Sequence, residues 1–158
     1  MFTVPDLNKK GFTLIEIAIV LLITTILIAV VVNSFSKFRN EQALKSETEE
    51  IISSLQSARD RTLSSENSYQ YGVHFTSSSI TIFRGASYSS SDSNNIVKNV
   101  ITGTTISTIS ITGGGANIIF DRLTASTNTD GTIVVQATDD TTRSRTITIS
   151  KTGIISGN

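Results

Sequence analysis

Hydrophobic and polar positions divide the chain into three stretches with different periods. Residues 1–11 are mixed and polar. From Phe12 to Val32 the sequence is apolar on every side, with Glu16 as its one charge. At helical rise, roughly 21 such residues span about 32 Å, close to the thickness of a bilayer core. From Leu44 onward a stripe appears at three- and four-residue spacing: Leu44, Thr48, Ile51, Ile52, Leu55, Ala58 and Thr62. Lys45, Glu47, Glu49, Glu50, Arg59 and Asp60 occupy other faces. Neither Gly nor Pro interrupts 12–65, so the pattern predicts one helix about 80 Å long. Its first half has no amphipathic face and must meet lipid or other chains, whereas its second half packs on a domain.

Beyond Tyr69 the period becomes two. Tyr71, Val73 and Phe75, then Ile80 and Ile82, read as a hairpin closed by Thr76–Ser79. A Ser/Asp/Asn-rich loop follows at 87–95 and is expected to be mobile. Further strands are predicted at 96–101, 104–111, 117–120, 132–137 and 144–150, with breaks at Gly103, Gly113–Gly115, Asp130-Gly131 and Asp139–Thr142. Thr and Ser fill the outward positions, as exposed sheet faces favour. The expected fold is α+β: a long N-terminal helix packed on a C-terminal antiparallel β-sheet domain. The expected parts are residues 1–11, the helix 12–65 with 12–32 as its membrane segment, and a β-rich domain at 66–158.

Composition changes this picture in two ways. Formal net charge is zero, so no global field draws the chain to nucleic acid or anionic lipid. The chain has no cysteine, which excludes a disulfide-stapled domain, and its one proline is Pro5. A secretory signal peptide would also begin basic and turn apolar. Here the apolar run is too long and no Ala-x-Ala site closes it. Lys9 and Lys10 precede the run and favour a cytoplasmic N-terminus, while Lys37 and Arg39 beyond it weaken that bias. These features alone describe a single-pass anchored domain.

One motif goes further. Lys9-Lys10-Gly11-Phe12-Thr13-Leu14-Ile15-Glu16 resembles the processing site of type IV pilins and type II secretion pseudopilins. The resemblance implies that prepilin peptidase cuts between Gly11 and Phe12 and N-methylates Phe12. That cut removes Lys9, Lys10 and Asp6, leaving 11 basic against 12 acidic side chains. It further implies storage in the inner membrane with the C-terminal domain outside the cytoplasm. An assembly platform would then add the chain to a filament of other pilin or pseudopilin subunits. Glu16 falls on the family's glutamate and would face the Phe12 amine of a neighbour. A carboxylate in an apolar helix is costly, and such a pair selects register more than it adds stability. Many relatives carry a proline near the position of Asn33, and this chain does not.

The tail narrows the resemblance. Tyr71-Gly72-Val73, Ile119-Phe120-Asp121, Gly131-Thr132-Ile133-Val134 and Arg145–Ser150 with Gly153-Ile154 are similar to the H-type (GspH) minor pseudopilins and FimT-like minor pilins. The FimT-like group implies an alternative role, DNA binding for natural transformation, through Arg143, Arg145 and Lys151, with Arg122 nearby. Cations on phosphates would give salt-dependent, sequence-blind affinity. Asp139 and Asp140 oppose it, and charged residues also guard edge strands.

Other candidate chemistry is thin. Thr24 and Thr25 can bond to backbone four residues earlier. His74 is the only histidine and sits in a polar strand slot, so a surface role is expected and no catalytic site is assigned. Asp130, Asp139 and Asp140 lack calcium-loop spacing, and no Cys/His cluster exists for zinc. Gly113–Gly115 has no following Lys or helix and is no phosphate loop. No cofactor and no metal are expected, and the chain reads as a peptidase substrate rather than an enzyme.

Overall fold

The computed structural model describes residues 11–158. They form one long helix, α1 (Leu14–Leu63), a 3-10 turn (Glu66–Ser68) and eight strands: β1 (Tyr71–Phe75), β2 (Ser79–Arg84), β3 (Ile96–Asn99), β4 (Thr104–Ile111), β5 (Asn117–Ile119), β6 (Gly131–Ala137), β7 (Ser144–Ile149) and β8 (Ile155–Gly157). The chain divides into two compact units, one ending at Phe38 and the other running from Arg39 to Asn158.

The second unit holds two four-stranded antiparallel sheets, ordered β3-β2-β1-β5 and β4-β6-β7-β8. The predicted hairpin is present, with Val73 opposite Ile82 and Phe75 opposite Ile80. The β4–β6 ladder carries a bulge between Ile106 and Thr108. Period-two alternation is clearest in β6 and β7, where Ile133, Val135, Ile147 and Ile149 are fully buried and Thr132 and Thr148 point away. The predicted stripe of α1 supplies the third layer: Leu44, Ile51, Leu55 and Ala58 join both sheets in one apolar cluster. Burying each large side chain there contributes about 1.5–3 kcal/mol.

Thr62 ends the stripe with a polar task. Its hydroxyl donates to the Ala58 carbonyl at 2.8 Å and accepts the Tyr71 N–H at 2.9 Å, which sets the start of β1. Between them the chain reverses through Ser65, Asn67 and Ser68, with φ of 49°, 52° and 63°.

Four expectations need correction. Glu47, expected on an outer face, is 1 % exposed; its Oε2 accepts the Ile101 N–H at 2.7 Å and its Oε1 has no partner. The 87–95 loop is tied down rather than loose. Tyr88 stacks on His74 at 3.9 Å between centroids, and Asp92 lies 3.7 Å from Arg84. His74 is accordingly half-buried, with its Nδ1 2.7 Å from the Asn117 side-chain oxygen. Gly72 is buried in β1, where a Cβ would lie 2.7 Å from the Phe83 ring. Finally, β8 was not foreseen: its three residues follow Gly153 and alternate too briefly to register as a pattern.

Candidate processing and assembly site

Two features dominate the start of the described chain. Gly11 and Phe12 are open to solvent, and Phe12 is 78 % exposed. Directly behind them Thr13 and Glu16 cap α1 reciprocally. The Thr13 hydroxyl accepts the Glu16 N–H at 3.2 Å, and the Glu16 carboxylate accepts the Thr13 N–H at 3.4 Å. This is a capping box, which satisfies amides that the first helical turn leaves unpaired and sets an anion at the positive end of the helix dipole. The order Thr-x-x-Glu before an apolar run is the sequence signal for such a box.

Behind the box lies Leu14–Val31, with a mean hydropathy of 3.0 and no residue buried within the chain. It is long and apolar enough to cross a membrane. Thr24 donates to Val20 O at 2.7 Å, as expected, while Thr25 turns one residue nearer, to Leu22 O at 2.8 Å. Both hydroxyls are thus satisfied within the helix. Lys9 and Lys10 lie outside the described residues.

The C-terminal cations sit in a different setting. Arg143 faces Asp139 at 3.0 Å and Asp140 at 3.2 Å, and Arg145 reaches Glu41 on α1 at 2.9 Å. Lys151 lies 3.9 Å from Asp130. The Thr142 hydroxyl and amide hold the Asp140 carboxyl below the usual carboxylate range, with Arg143 adding to the effect. Thr112 does the same for Asp130, with Lys151 adding its charge. Arg122 is exposed on a separate turn. The structure therefore gives each of the three expected DNA-contacting cations a carboxylate neighbour. Among the described residues no group of three or more His, Asp or Glu side chains gathers as a metal site.

Burial displaces the titration of the Glu47 carboxyl on α1. Desolvation by burial raises it, the Ile101 N–H lowers it in part, and the Glu50 charge raises it further. Glu50 itself pairs with Lys98 on β3. These contacts, with Asn40 to Asp139 at 2.6 Å, stitch α1 to the strands and turns around it.

Comparison with known proteins now decides the family. Residues 6–32 match the prokaryotic N-terminal methylation motif, and residues 47–153 match the family of the type II transport protein GspH. The chain belongs to the GspH family. It is a minor pilin or pseudopilin with a prepilin methylation motif. The fold is similar to that of the type IV minor pilin FimU from Pseudomonas aeruginosa, seen in two crystal forms. One gives a TM-score of 0.58 at 19 % identity, covering 77 % of this chain and 92 % of that one. The other gives 0.55 at 20 % identity, covering 73 % and 92 %. No curated protein matches the chain. GspH-family membership makes α1 a membrane anchor and an assembly element alongside other pilin subunits. It also makes the sheets of the second unit a structural domain.

Proposed function

We propose that prepilin peptidase cuts this GspH-family chain between Gly11 and Phe12 and methylates the new Phe12 amine. The chain then waits in the inner membrane with its domain outside the cytoplasm, until an assembly platform draws it into a pilus or pseudopilus. The observation that carries this reading is the uncovered apolar segment Leu14–Val31 headed by a single carboxylate. Its side chains have no cover in the chain, so lipid and neighbouring helices are what remain to cover them. Glu16 is already held at the helix start by Thr13, one residue from the new amine, so a neighbour's terminus can exchange for a local bond. Cleavage after Gly11 also suits its exposure.

Intact mass and N-terminal sequence of the chain extracted from its host membrane test the cut. A chain beginning at methylated Phe12 is expected; one retaining Met1 in a host with active peptidase would sink the proposal. Glu16→Ala should stay in the membrane and out of filaments, and normal incorporation would remove the assembly role. The FimT-like DNA-binding alternative draws no support from cations that each face a carboxylate.

A further inference from the structure

The sheet edges differ in how they are closed. β3 carries Lys98 and β4 carries a bulge, and both devices guard an edge against further pairing. β5 (Asn117-Ile118-Ile119) has no charge and no proline, and it is paired on one side only, to β1. The register fixes which of its backbone groups point away from β1. The Phe120 N–H donates to Tyr71 O at 3.0 Å, and the Phe75 N–H donates to Ala116 O at 2.9 Å. With Val73 opposite Ile118, the bonded pairs are Tyr71–Phe120, Val73–Ile118 and Phe75–Ala116. Asn117 and Ile119 occupy the intervening positions, so their N–H and C=O groups point outward. Among the described residues none of these four groups has a hydrogen-bond partner, although both residues are half-buried. Backbone polar groups withdrawn from water call for a partner.

The segment that follows explains why this edge stays open. Thr127 bridges to Phe120 and could begin a ladder along the outer side of β5. Instead the Thr127 N–H donates to Lys151 O at 2.8 Å and its hydroxyl donates to Ser150 O at 3.1 Å, which draws the chain off towards β6 in the other sheet. A cavity of about 270 Å³ lies at this parting. It is lined by Asn117 and Ile119 of β5, by Asn128 and Thr129 of the departing segment, and by Gln70 and Asp121. Asp121 is half-buried, and among the described residues every ion pair uses other acids. The cavity thus joins a free strand edge, amide and hydroxyl side chains, and one carboxylate with no cation.

We propose that this cavity receives an extended segment of a neighbouring pilin subunit, which adds a short strand to β5 and sets a Lys or Arg side chain against Asp121. The backbone selects the form of the occupant. Outward N–H and C=O groups two residues apart are what an added strand bonds. Asp121 selects its charge, because a carboxylate among neutral polar side chains favours a cation and repels an anion. Size selects its length. The cavity lies below the range of about 300–1,000 Å³ usual for small-molecule sites, and an edge of three residues admits only a few residues of chain. The GspH family supplies the neighbour, because its chains assemble with other pilin subunits. The docking therefore rests on the assembly reading above and adds which edge of the domain meets the next subunit.

The test uses the full chain in its host, with a photoreactive benzoylphenylalanine replacing Asn128, an exposed residue of the cavity wall. Illumination of assembling membranes is expected to give an adduct with a pilin subunit, joined through a peptide containing Lys or Arg. Asp121→Asn should lower the yield about tenfold. Asp121→Lys should abolish it, and changing the mapped basic residue to Glu should restore it. Ile119→Pro removes an outward N–H and leaves the bonds to β1, which Ile118 and Phe120 make, so it should lower the yield too. Where Ile119→Pro fails to fold, Asp121→Asn decides alone. No adduct, an adduct with lipid, nucleic acid or a secreted protein, or a yield unchanged by Asp121→Asn or by a folded Ile119→Pro would overturn the docking. N-terminal mass and filament content of the same samples separate this failure from failure of assembly. A chain cut before Phe12 that enters filaments without the adduct removes only the added strand. A chain that never enters filaments removes the assembly reading with it.

Discussion

The two halves of α1 share one backbone geometry and differ in what covers them. From Leu14 to Val31 every face is apolar and nothing in the chain buries it. From Leu44 to Thr62 the apolar positions keep to one stripe, and two sheets bury it. The first half is thus stabilised from outside the chain, by lipid or by other subunits. The second half is stabilised within the chain, and its side chains answer to packing rather than to assembly. Substitutions in the two halves should separate accordingly.

The largest expected effect on folding lies in the covered half. Leu55→Ala should destabilise the detergent-solubilised chain by about 2–5 kcal/mol, read from denaturant unfolding. Leu21→Ala in the uncovered half should leave that transition in place; an equal loss would end the comparison. Next comes Gly72→Ala. Its Cβ would meet both the Phe83 ring and Ile118 O at 2.7 Å, and overpacking of this kind costs about 1–3 kcal/mol.

The third prediction concerns pH. Burial raises the Glu47 carboxyl in the folded chain, so the fold favours its protonated form. Its contribution to stability is therefore greatest below the unfolded carboxylate pKa and falls as pH rises towards the folded value. Glu47→Gln should remove that slope and melt higher than the parent at pH 7, with the difference closing near pH 4 in thermal scans. A variant that melts lower at pH 7 would show that the charge at Glu47 supports the fold. The smallest effect is expected at Arg145→Gln. The exposed pair with Glu41 should contribute about 1 kcal/mol or less, and low-salt mobility shifts with duplex DNA should be absent in parent and variant alike.

The long helix and most strands were legible because their periods are long or repeated. The seven positions of the α1 stripe and the alternation of Ile133, Val135, Ile147 and Ile149 leave little choice of buried face. The Gly11–Glu16 motif was legible because its order is specific. Other features depended on neighbours far away in sequence. Glu47 is buried because Ile101 donates to it across 54 positions, and no local pattern announces that. Gly72 is set by the ring of Phe83, and the 87–95 loop by Tyr88 finding His74.

The layering also has a consequence in time. The α1 stripe leaves the ribosome early, but Ile133, Val135, Ile147 and Ile149, which help to cover it, come last. Roughly 100 residues separate Ile51 from Ile149, or about 5–20 s of synthesis. Throughout that interval a half-covered apolar helix waits beside the membrane for its own C-terminus. A nascent chain stalled before β6 has an anchor and a stripe but only one sheet to close on, and it is a ready substrate for proteases that survey the membrane surface.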